Sequence, residues 1–152
     1  TVTGDAVKDP RNFLVRIGTP YRELVEAAGG FTAEPEKIIS GGPMMGFALA
    51  DLDVPVTKTS GALTCFLKDE VSRVHETACI SCGRCLNVCP ARLMPTKLAE
   101  LAEAGDEEGF ESFDGLECVN CGSCSYTCPA KRPLAANINM MRQRVLANKR
   151  KK

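Results

Sequence analysis

Aromatic residues and long apolar segments are what this sequence most clearly lacks. Its 152 residues include no tryptophan, two tyrosines and six phenylalanines. Because proteins that bind single-stranded nucleic acids stack the bases on aromatic side chains, this scarcity argues against such a protein. No uninterrupted apolar run approaches the roughly 18 residues of a membrane span, and no apolar signal segment is present. We expect a soluble protein that has no transmembrane span of its own.

Recognisable catalytic patterns are also absent. The one histidine, His75, lies just before a group of cysteines, and we expect it at the surface. No Ser-His-Asp set, framed pair of carboxylates or dinucleotide-binding glycine pattern occurs. The glycine-rich segment 41–46 matches neither that pattern nor a Walker sequence, so we interpret it as a tight turn. We therefore expect the site that oxidises a substrate to lie outside this chain.

Acidic and basic residues are separated along the chain, although the formal net charge is zero. Residues 100–117 contain eight acidic side chains and no basic one, whereas residues 118–152 contain eight basic side chains and no acid. Four of these bases, residues 149–152, end the chain. We interpret the two runs as solvated surface and a frayed tail, with partner docking as the alternative.

Cysteine is concentrated in the second half. Eight of the nine cysteines lie between Cys79 and Cys128, and Cys65 precedes them. Dense cysteines indicate either a disulfide-stapled secreted domain or a metal site in a reducing compartment. The odd total and the absence of a signal segment favour a metal site in the cytosol. Cys65 is predicted to be a small buried residue of a strand.

The first half is predicted to be a small α+β domain. Thr19 is expected to cap a helix that begins at Pro20 and ends at Gly29 and Gly30. A buried strand is expected at 37–40. The order of hairpin, helix and strands is typical of a β-grasp fold, in which one helix lies on a mixed sheet. The other predicted strands are 1–7 and 12–17, paired as a hairpin, and 47–52, 54–57 and 62–67.

The second half is predicted to be mainly α-helical. A helix that Gly105 would end is expected between the two groups of cysteines, on the apolar pattern Leu93, Leu98, Leu101 and Ala102. After Pro133, a second apolar stripe predicts a final amphipathic helix: Leu134, Ile138, Met141 and Val145. We therefore expect a β-grasp domain in residues 1–66, a mainly helical domain that holds the cysteine groups in residues 67–148 and a basic tail in residues 149–152.

The second half also contains an internal duplication. Cys79-Ile-Ser-Cys82-Gly-Arg-Cys85-Leu-Asn-Val-Cys89-Pro90 aligns with Cys118-Val-Asn-Cys121-Gly-Ser-Cys124-Ser-Tyr-Thr-Cys128-Pro129. Each copy has the C-x2-C-x2-C-x3-C-P spacing of bacterial ferredoxins that carry two [4Fe-4S] clusters, which predicts a ferredoxin domain in residues 67–148. Cysteines three apart can supply three irons on one side of a cubane, and the glycines let the backbone approach the inorganic sulfides.

The fourth iron of each cluster needs a ligand from outside the loop that holds the other three. In two-cluster ferredoxins the fourth cysteine of one run binds the other cluster. We assign the first [4Fe-4S] cluster to Cys79, Cys82, Cys85 and Cys128. The second is assigned to Cys118, Cys121, Cys124 and Cys89. This exchange makes the clusters neighbours, which suits a relay of single electrons, and it leaves no iron open to a substrate.

Zinc and disulfides are competing interpretations of the cysteines. Zinc sites take four ligands, commonly as two C-x2-C pairs, so runs of three cysteines followed by C-P fit zinc poorly. Disulfides are disfavoured by the odd total and by a reducing compartment. An alternative of another class is a nucleic-acid-binding protein with structural clusters and a basic tail, although the neighbouring acidic run would repel a polyanion.

Over both halves the chain resembles the C-terminal portion of the C subunit of the Rnf (Rsx) electron transport complexes. In the second half the resemblance rests on the duplicated cysteine loops. An iron-sulfur subunit of another dehydrogenase would have similar cysteines, but the first half argues against that alternative. There, three segments resemble the soluble-ligand-binding β-grasp (SLBB) domain: Val2-Thr-Gly-Asp5, Ile38-Ile-Ser-Gly-Gly-Pro-Met-Met-Gly46 and Thr57-Lys-Thr-Ser-Gly61.

The resemblance implies a peripheral protein on the cytoplasmic side of the cell membrane. Such a protein carries electrons within a complex that exchanges them between NADH and ferredoxin while moving Na+ or H+. Its partners would be the other subunits and ferredoxin-like or flavin electron carriers, and no nucleic acid is expected. In that family FMN and NADH bind an N-terminal region, so this chain would be a fragment without that region and would not oxidise NADH alone.

Overall fold

A mixed four-stranded sheet forms the centre of the first half in the computed structural model, which describes residues 1–151. Its strands are β1 Val2–Thr3, β2 Lys37–Ser40, β3 Phe47–Leu49 and β4 Leu63–Phe66. They lie in the order β1-β4-β2-β3, with β1 parallel to β4 and the other pairs antiparallel. This mixed sheet with one helix confirms the predicted α+β class.

Helix α1, Tyr21–Ala27, packs its apolar face into the same core as the sheet. Leu63 and Cys65 alternate on β4 and are almost completely buried, as period-two strand geometry requires. The Tyr21 hydroxyl lies 2.7 Å from the Ser40 hydroxyl, so the buried polar group of the helix is paired with the sheet. The prediction of Cys65 as a small buried strand residue is confirmed.

The predicted hairpin of residues 1–7 and 12–17 is wrong. Only Val2 and Thr3 form a strand, and that strand pairs with β4 from the far end of the domain. Arg11 makes a single bridge to Val2, after which Leu14 and Ile17 point into solvent. Local apolar content suggested a second strand here, but these side chains have no sheet face to cover.

Two further strand predictions and one cap need correction. Strand β3 ends at Leu49, and residues 54–57 form no strand, because the backbone of Val56 bonds instead to Gly18 and Thr19. Helix α1 begins one residue after Pro20, which occupies the N-cap position, and Thr19 makes no side-chain cap. The end of α1 is as expected, since Gly29 and Gly30 both adopt φ of 79° after it.

The first compact unit runs from Thr1 to Arg73 and the second begins at Val74. A domain limit at residue 66 remains a prediction. In the structure two ion pairs hold the following segment to β2 and the residue before it. Lys37 bonds both carboxylate oxygens of Asp69 at 2.9 Å, and Arg73 bonds Glu36 at 2.7 Å. Sequence patterning does not reveal such long-range pairs.

The second unit is built from helices, and its described residues contain no strand. The helices are α2 Arg84–Asn87, α3 Pro95–Ala104, α4 Glu107–Ser112, α5 Ser123–Thr127 and α6 Leu134–Arg150, with a 3-10 turn at Gly115–Glu117. Helices α3 and α6 pack together around a core centred on Leu98, Phe110 and Ile138. This confirms the mainly α-helical prediction.

The predicted apolar stripe of α6 is confirmed, because each of its four residues is at most 4% exposed: Leu134, Ile138, Met141 and Val145. Gly105 ends α3 in the left-handed conformation, with φ of 73°, as expected of a C-terminal glycine. Helix α4 was not predicted. It begins at Glu107, and the carboxylate of the N-cap residue Asp106 accepts a hydrogen bond from the Gly109 amide at 2.8 Å.

The acidic and basic runs pair with each other within the second unit. Glu103 binds Arg132 at 2.6 Å, Glu107 binds Arg144 at 2.7 Å, and Glu111 binds Lys149. Most side chains of the two runs are exposed, as the solvated-surface interpretation predicts, and the three ion pairs additionally join the two runs to each other. Lys149 and Arg150, expected in a frayed tail, are the last residues of α6, whereas the prediction for Lys152 lies outside the described residues.

Candidate metal centre

The two cysteine loops repeat the same unusual backbone. Three residues of each copy have positive φ, at matching places in the alignment. In the first copy they are Ser81, Gly83 and Arg92, with φ of 54°, 71° and 53°. In the second they are Asn120, Gly122 and Lys131, with φ of 54°, 77° and 54°. The duplication seen in the sequence is therefore a duplication of chain path.

Left-handed residues turn successive backbone amides toward a common point. Such amide nests bind anions and are common around iron-sulfur clusters. In this chain some amides point at cysteine sulfur. The Ser81 amide donates to Cys79 Sγ at 3.4 Å, and the Leu93 amide donates to Cys89 Sγ at 3.3 Å. Amide hydrogen bonds to ligand sulfur orient the ligands of a metal site.

A short helix follows the glycine in each loop. Helix α2 carries Cys85 and α5 carries Cys124, and the fourth cysteine of each run lies just beyond its helix. A hydrogen bond from the Thr77 amide to the Ala130 carbonyl, 3.0 Å long, fixes the start of the first loop beside the end of the second. The two loops therefore approach each other closely.

One cavity of about 350 Å³ lies between the loops, and cysteines from both loops line it. Arg84 and Arg132 also line it, together with Thr96 and Glu100 from α3. Its volume and its four sulfur donors fit a four-iron cubane. The cysteines are the set assigned to the first cluster: Cys79, Cys82, Cys85 and Cys128.

A second cavity, of about 20 Å³, is lined by the four cysteines assigned to the second cluster: Cys118, Cys121, Cys124 and Cys89. Its other walls are mostly apolar, including Leu93, Leu98 and Ile138. The donor set fits a four-iron cluster. Each cavity thus takes three cysteines from one loop and one from the other.

The spacing of the donors disfavours a single metal ion. Within residues 1–151, no three His, Cys, Asp or Glu side chains come close enough to hold one ion together. A tetrahedral zinc site needs four donors around one centre. A cubane instead distributes its four thiolates over four irons, which places the sulfur atoms farther apart. The geometry therefore favours clusters over zinc.

Burial makes several of the thiols poor acids. It raises the pKa of Cys85, and it raises the pKa of Cys124 to about 11. The Ser123 hydroxyl and amide lower the pKa of Cys121 by hydrogen bonding. Because an isolated buried thiolate is unfavourable, Cys85 and Cys124 would gain stability as thiolates from positive iron.

Arg132 is the most buried cation near the first cavity. Its side chain is 16% exposed, and its partner Glu103 also accepts a hydrogen bond from Asn137 at 2.8 Å. The hydrogen bond to Glu103 is the main reason that the Arg132 pKa is raised, and the charges of Cys79 and Glu76 add to it. Sequence reasoning missed this residue, although its position directly after the second Cys-Pro-Ala-Lys was a usable signal.

The histidine and the glycine-rich segment lie where the sequence predicted. His75 is exposed, and residues 41–46 form a turn in which the Gly46 amide donates to Gly42 at 2.8 Å. No helix of the described residues has both the length and the apolar character needed to cross a membrane.

Comparison with known proteins matches each unit to a domain family. The SLBB domain matches residues 1–48, and the 4Fe-4S dicluster domain matches residues 78–132. The chain is also 41% identical over 151 residues to the C subunit of the Na+-translocating ferredoxin:NAD+ oxidoreductase complex of Acetobacterium woodii. This chain is a homologue of the C subunits of ion-translocating oxidoreductase complexes.

Two further C subunits are similar to this chain to the same degree. The C subunit of the proton-translocating ferredoxin:NAD+ oxidoreductase complex of Clostridium ljungdahlii is 46% identical over 143 residues, and that of the ion-translocating oxidoreductase complex of Methanosarcina acetivorans is 40% identical over 149. These alignments include 99%, 93% and 98% of this chain but 34%, 31% and 33% of the three relatives. The chain therefore spans about a third of the length of the curated relatives it matches.

The dicluster match identifies the cofactors of this C-subunit homologue as two [4Fe-4S] clusters. It covers all eight cysteines that line the two cavities. The expected cofactors and the SLBB and ferredoxin domains are thereby confirmed. The assignment of individual cysteines to each cluster stays a prediction.

Proposed function

We propose that this chain passes single electrons between two [4Fe-4S] clusters, as part of the C subunit of an ion-translocating oxidoreductase complex. The observation that carries the proposal is the crossing of the cysteines. Cys128 from the second loop lines the first cavity, and Cys89 from the first loop lines the second. Two clusters ligated in this way are neighbours, as electron transfer between them requires.

Cysteine ligation defines what the clusters supply when bound, which is reversible one-electron transfer without an open iron position for a substrate. The chain contributes the rest. Its left-handed loops direct amides toward sulfur, while α3 and α6 cover the two cavities with Leu98, Leu134 and Ile138. These contacts hold the ligands in place and limit access of water to the second cavity.

The setting in which the chain works is proposed from its relatives. Those relatives are named as members of complexes that couple ferredoxin and NAD+ to movement of Na+ or protons. We place the chain at the cytoplasmic face of the cell membrane, attached to other subunits. Its electron partners there are ferredoxin-like or flavin carriers.

Anaerobic reconstitution with iron and sulfide tests the proposal. We expect about eight iron and eight sulfide per chain, since two four-iron clusters are bound. After reduction with dithionite, EPR should show two interacting S = 1/2 signals because the clusters are adjacent. Zinc in the purified protein that iron does not displace, or about four iron after careful loading, would contradict the proposal.

A second experiment addresses the electron partner. The reduced, loaded chain is mixed with an oxidised two-cluster ferredoxin, and the visible absorption of both proteins is followed by stopped flow. Transfer at a rate that rises with ferredoxin concentration supports a direct partner of this class. The same chain stripped of iron is the control, and equal rates with and without iron would count against the relay.

A further inference from the structure

The two cavities share a backbone but differ in the side chains that face them. Two arginines line the first cavity at positions where the matching residue of the other repeat is uncharged. One of the uncharged residues is a serine of the second loop, and the other is a leucine that lines the second cavity. Arg84 corresponds to Ser123, and Arg132 corresponds to Leu93. The two cavities therefore differ in the charge of their lining residues, although the backbone of the two loops follows the same path.

The remaining lining residues extend this difference. Thr96 and Glu100 line the first cavity, whereas Ala135, Leu98 and Ile138 line the second. Glu100 offsets part of the arginine charge, and its side chain is 55% exposed and lies 3.7 Å from the ammonium of Lys97. Glu103 binds Arg132 without lining the cavity. Apart from the cysteines, the charged groups lining the first cavity thus sum to a net positive charge.

The greater solvent exposure of the first set of cysteines also favours reduction of the cluster at the first site. Cys79 and Cys82 of the first set are exposed, whereas all four cysteines of the second set are partly covered. A thiolate-bound cluster becomes more negative when it is reduced, so nearby cations and water favour reduction, while an apolar wall disfavours it. The hydrogen bonding of Ser123 to Cys121 opposes this trend at the second site. A net formal charge outweighs the two neutral hydrogen-bond donors of Ser123.

We propose that Arg84 and Arg132 raise the reduction potential of the cluster bound by Cys79, Cys82, Cys85 and Cys128 above that of the other cluster. This rests on the proposed two-cluster function. One electron supplied by dithionite then resides at the first site, and only a second electron reduces the cluster of the second site. The arginines are tuning residues, since neither replaces a ligand.

EPR-monitored potentiometric titration of the loaded full chain tests this ordering. Wild type should show two separate reduction waves. Arg84→Ser and Arg132→Leu, which copy the other half of the repeat, should each lower the higher wave and leave the other unchanged. Ser123→Arg should raise the lower wave. Arg144→Gln is the matched control, because it removes the same charge from a residue that lines neither cavity, and it should move neither wave.

Ionic strength separates charge tuning from a structural effect. Salt should weaken the shift caused by Arg84→Ser, because Arg84 is exposed, more than the shift caused by the less exposed Arg132. If Arg132→Leu fails to load iron, Arg84→Ser carries the test. Coincident waves in wild type, or a shift of the lower wave in Arg84→Ser, would overturn the proposed order of potentials. The electron relay would still stand if the iron content were full and the EPR signals of the two clusters interacted. Low iron content would instead refute the relay itself.

Discussion

Gly4 shows how strictly one residue can be required. Its φ is +117°, and a Cβ at this position would lie 1.9 Å from the carbonyl oxygen of Cys65. The chain just after strand β1 passes so closely beside Cys65 of β4 that any side chain at residue 4 collides with backbone. The amide of Ala6 donates to the same carbonyl at 3.3 Å, so the crossing is also fixed by hydrogen bonding.

Replacing Gly4 by alanine should therefore destabilise the first unit by on the order of 3 kcal/mol, from strain and a backbone clash together. Gly18→Ala is the matched control, since Gly18 has φ of +97° but nothing within 4 Å of a Cβ. It should cost about 1 kcal/mol. Hydrogen exchange of peptides from residues 1–73 measures both, and equal losses would show that the clash is relieved by backbone movement.

Cys65 makes the stability of the first unit depend on pH. Burial raises its pKa from 9.0 to about 11, so the folded chain keeps the thiol protonated where the unfolded chain ionises it. The stabilisation is complete below pH 9 and should be lost as pH rises toward 11. Pulse proteolysis in urea with an alkali-stable protease measures this slope. Cys65→Ala should abolish it, and an unchanged slope in that variant would assign the effect elsewhere.

Among the elements, the short helix α4 depends on one side chain. Phe110 is fully buried, and the backbone of Gly115 passes so close that a Cβ there would lie 2.4 Å from the ring. Phe113, at the end of the same helix, is 41% exposed. The acidic residues that flank them pair with α6, but such exposed pairs each contribute about 1 kcal/mol or less. Apolar packing thus holds α4 in place.

Phe110→Ala should destabilise the second unit by about 3–5 kcal/mol, because it removes a complete aromatic side chain from a closed core. Phe113→Ala should change stability by less than about 1 kcal/mol, since much of that ring is already in water. Urea unfolding of the iron-free chain, followed by hydrogen exchange in α4 and α6, compares them. Similar effects of the two substitutions would mean that the core relaxes to fill the cavity.

For the whole molecule, the crossing of cysteines between loops is the decisive property. Cys128→Ser should remove the cluster of the loop that begins at Cys79, and Cys89→Ser should remove the cluster of the loop that begins at Cys118. Each variant should retain about four iron. The reduction wave that remains in each variant shows which cluster is still bound, because only the wave of the first site should shift when Arg84→Ser is added. If Cys128→Ser abolishes the wave that Ser123→Arg shifts, the ligands are not exchanged.

Much of the fold could be predicted from the sequence wherever an element depends on a pattern of neighbouring residues. Strand β2, the end of α3 at Gly105 and the stripe of α6 follow from spacing within a few residues. The predicted hairpin failed because β1 pairs with a strand from the far end of the domain. Helix α4 was missed because its apolar content is one phenylalanine, whose burial depends on α6 and the turn at Gly115.

By itself the sequence determined the cofactor class, since the spacing of cysteines along a loop decides which cluster the loop can hold. It also determined the α+β division, through patterns that are local to each half. Only the tertiary structure decided that acids and bases pair internally and that two arginines line one cavity while none lines the other. Those properties depend on distances between residues far apart in the chain, and long-range packing alone determines such distances.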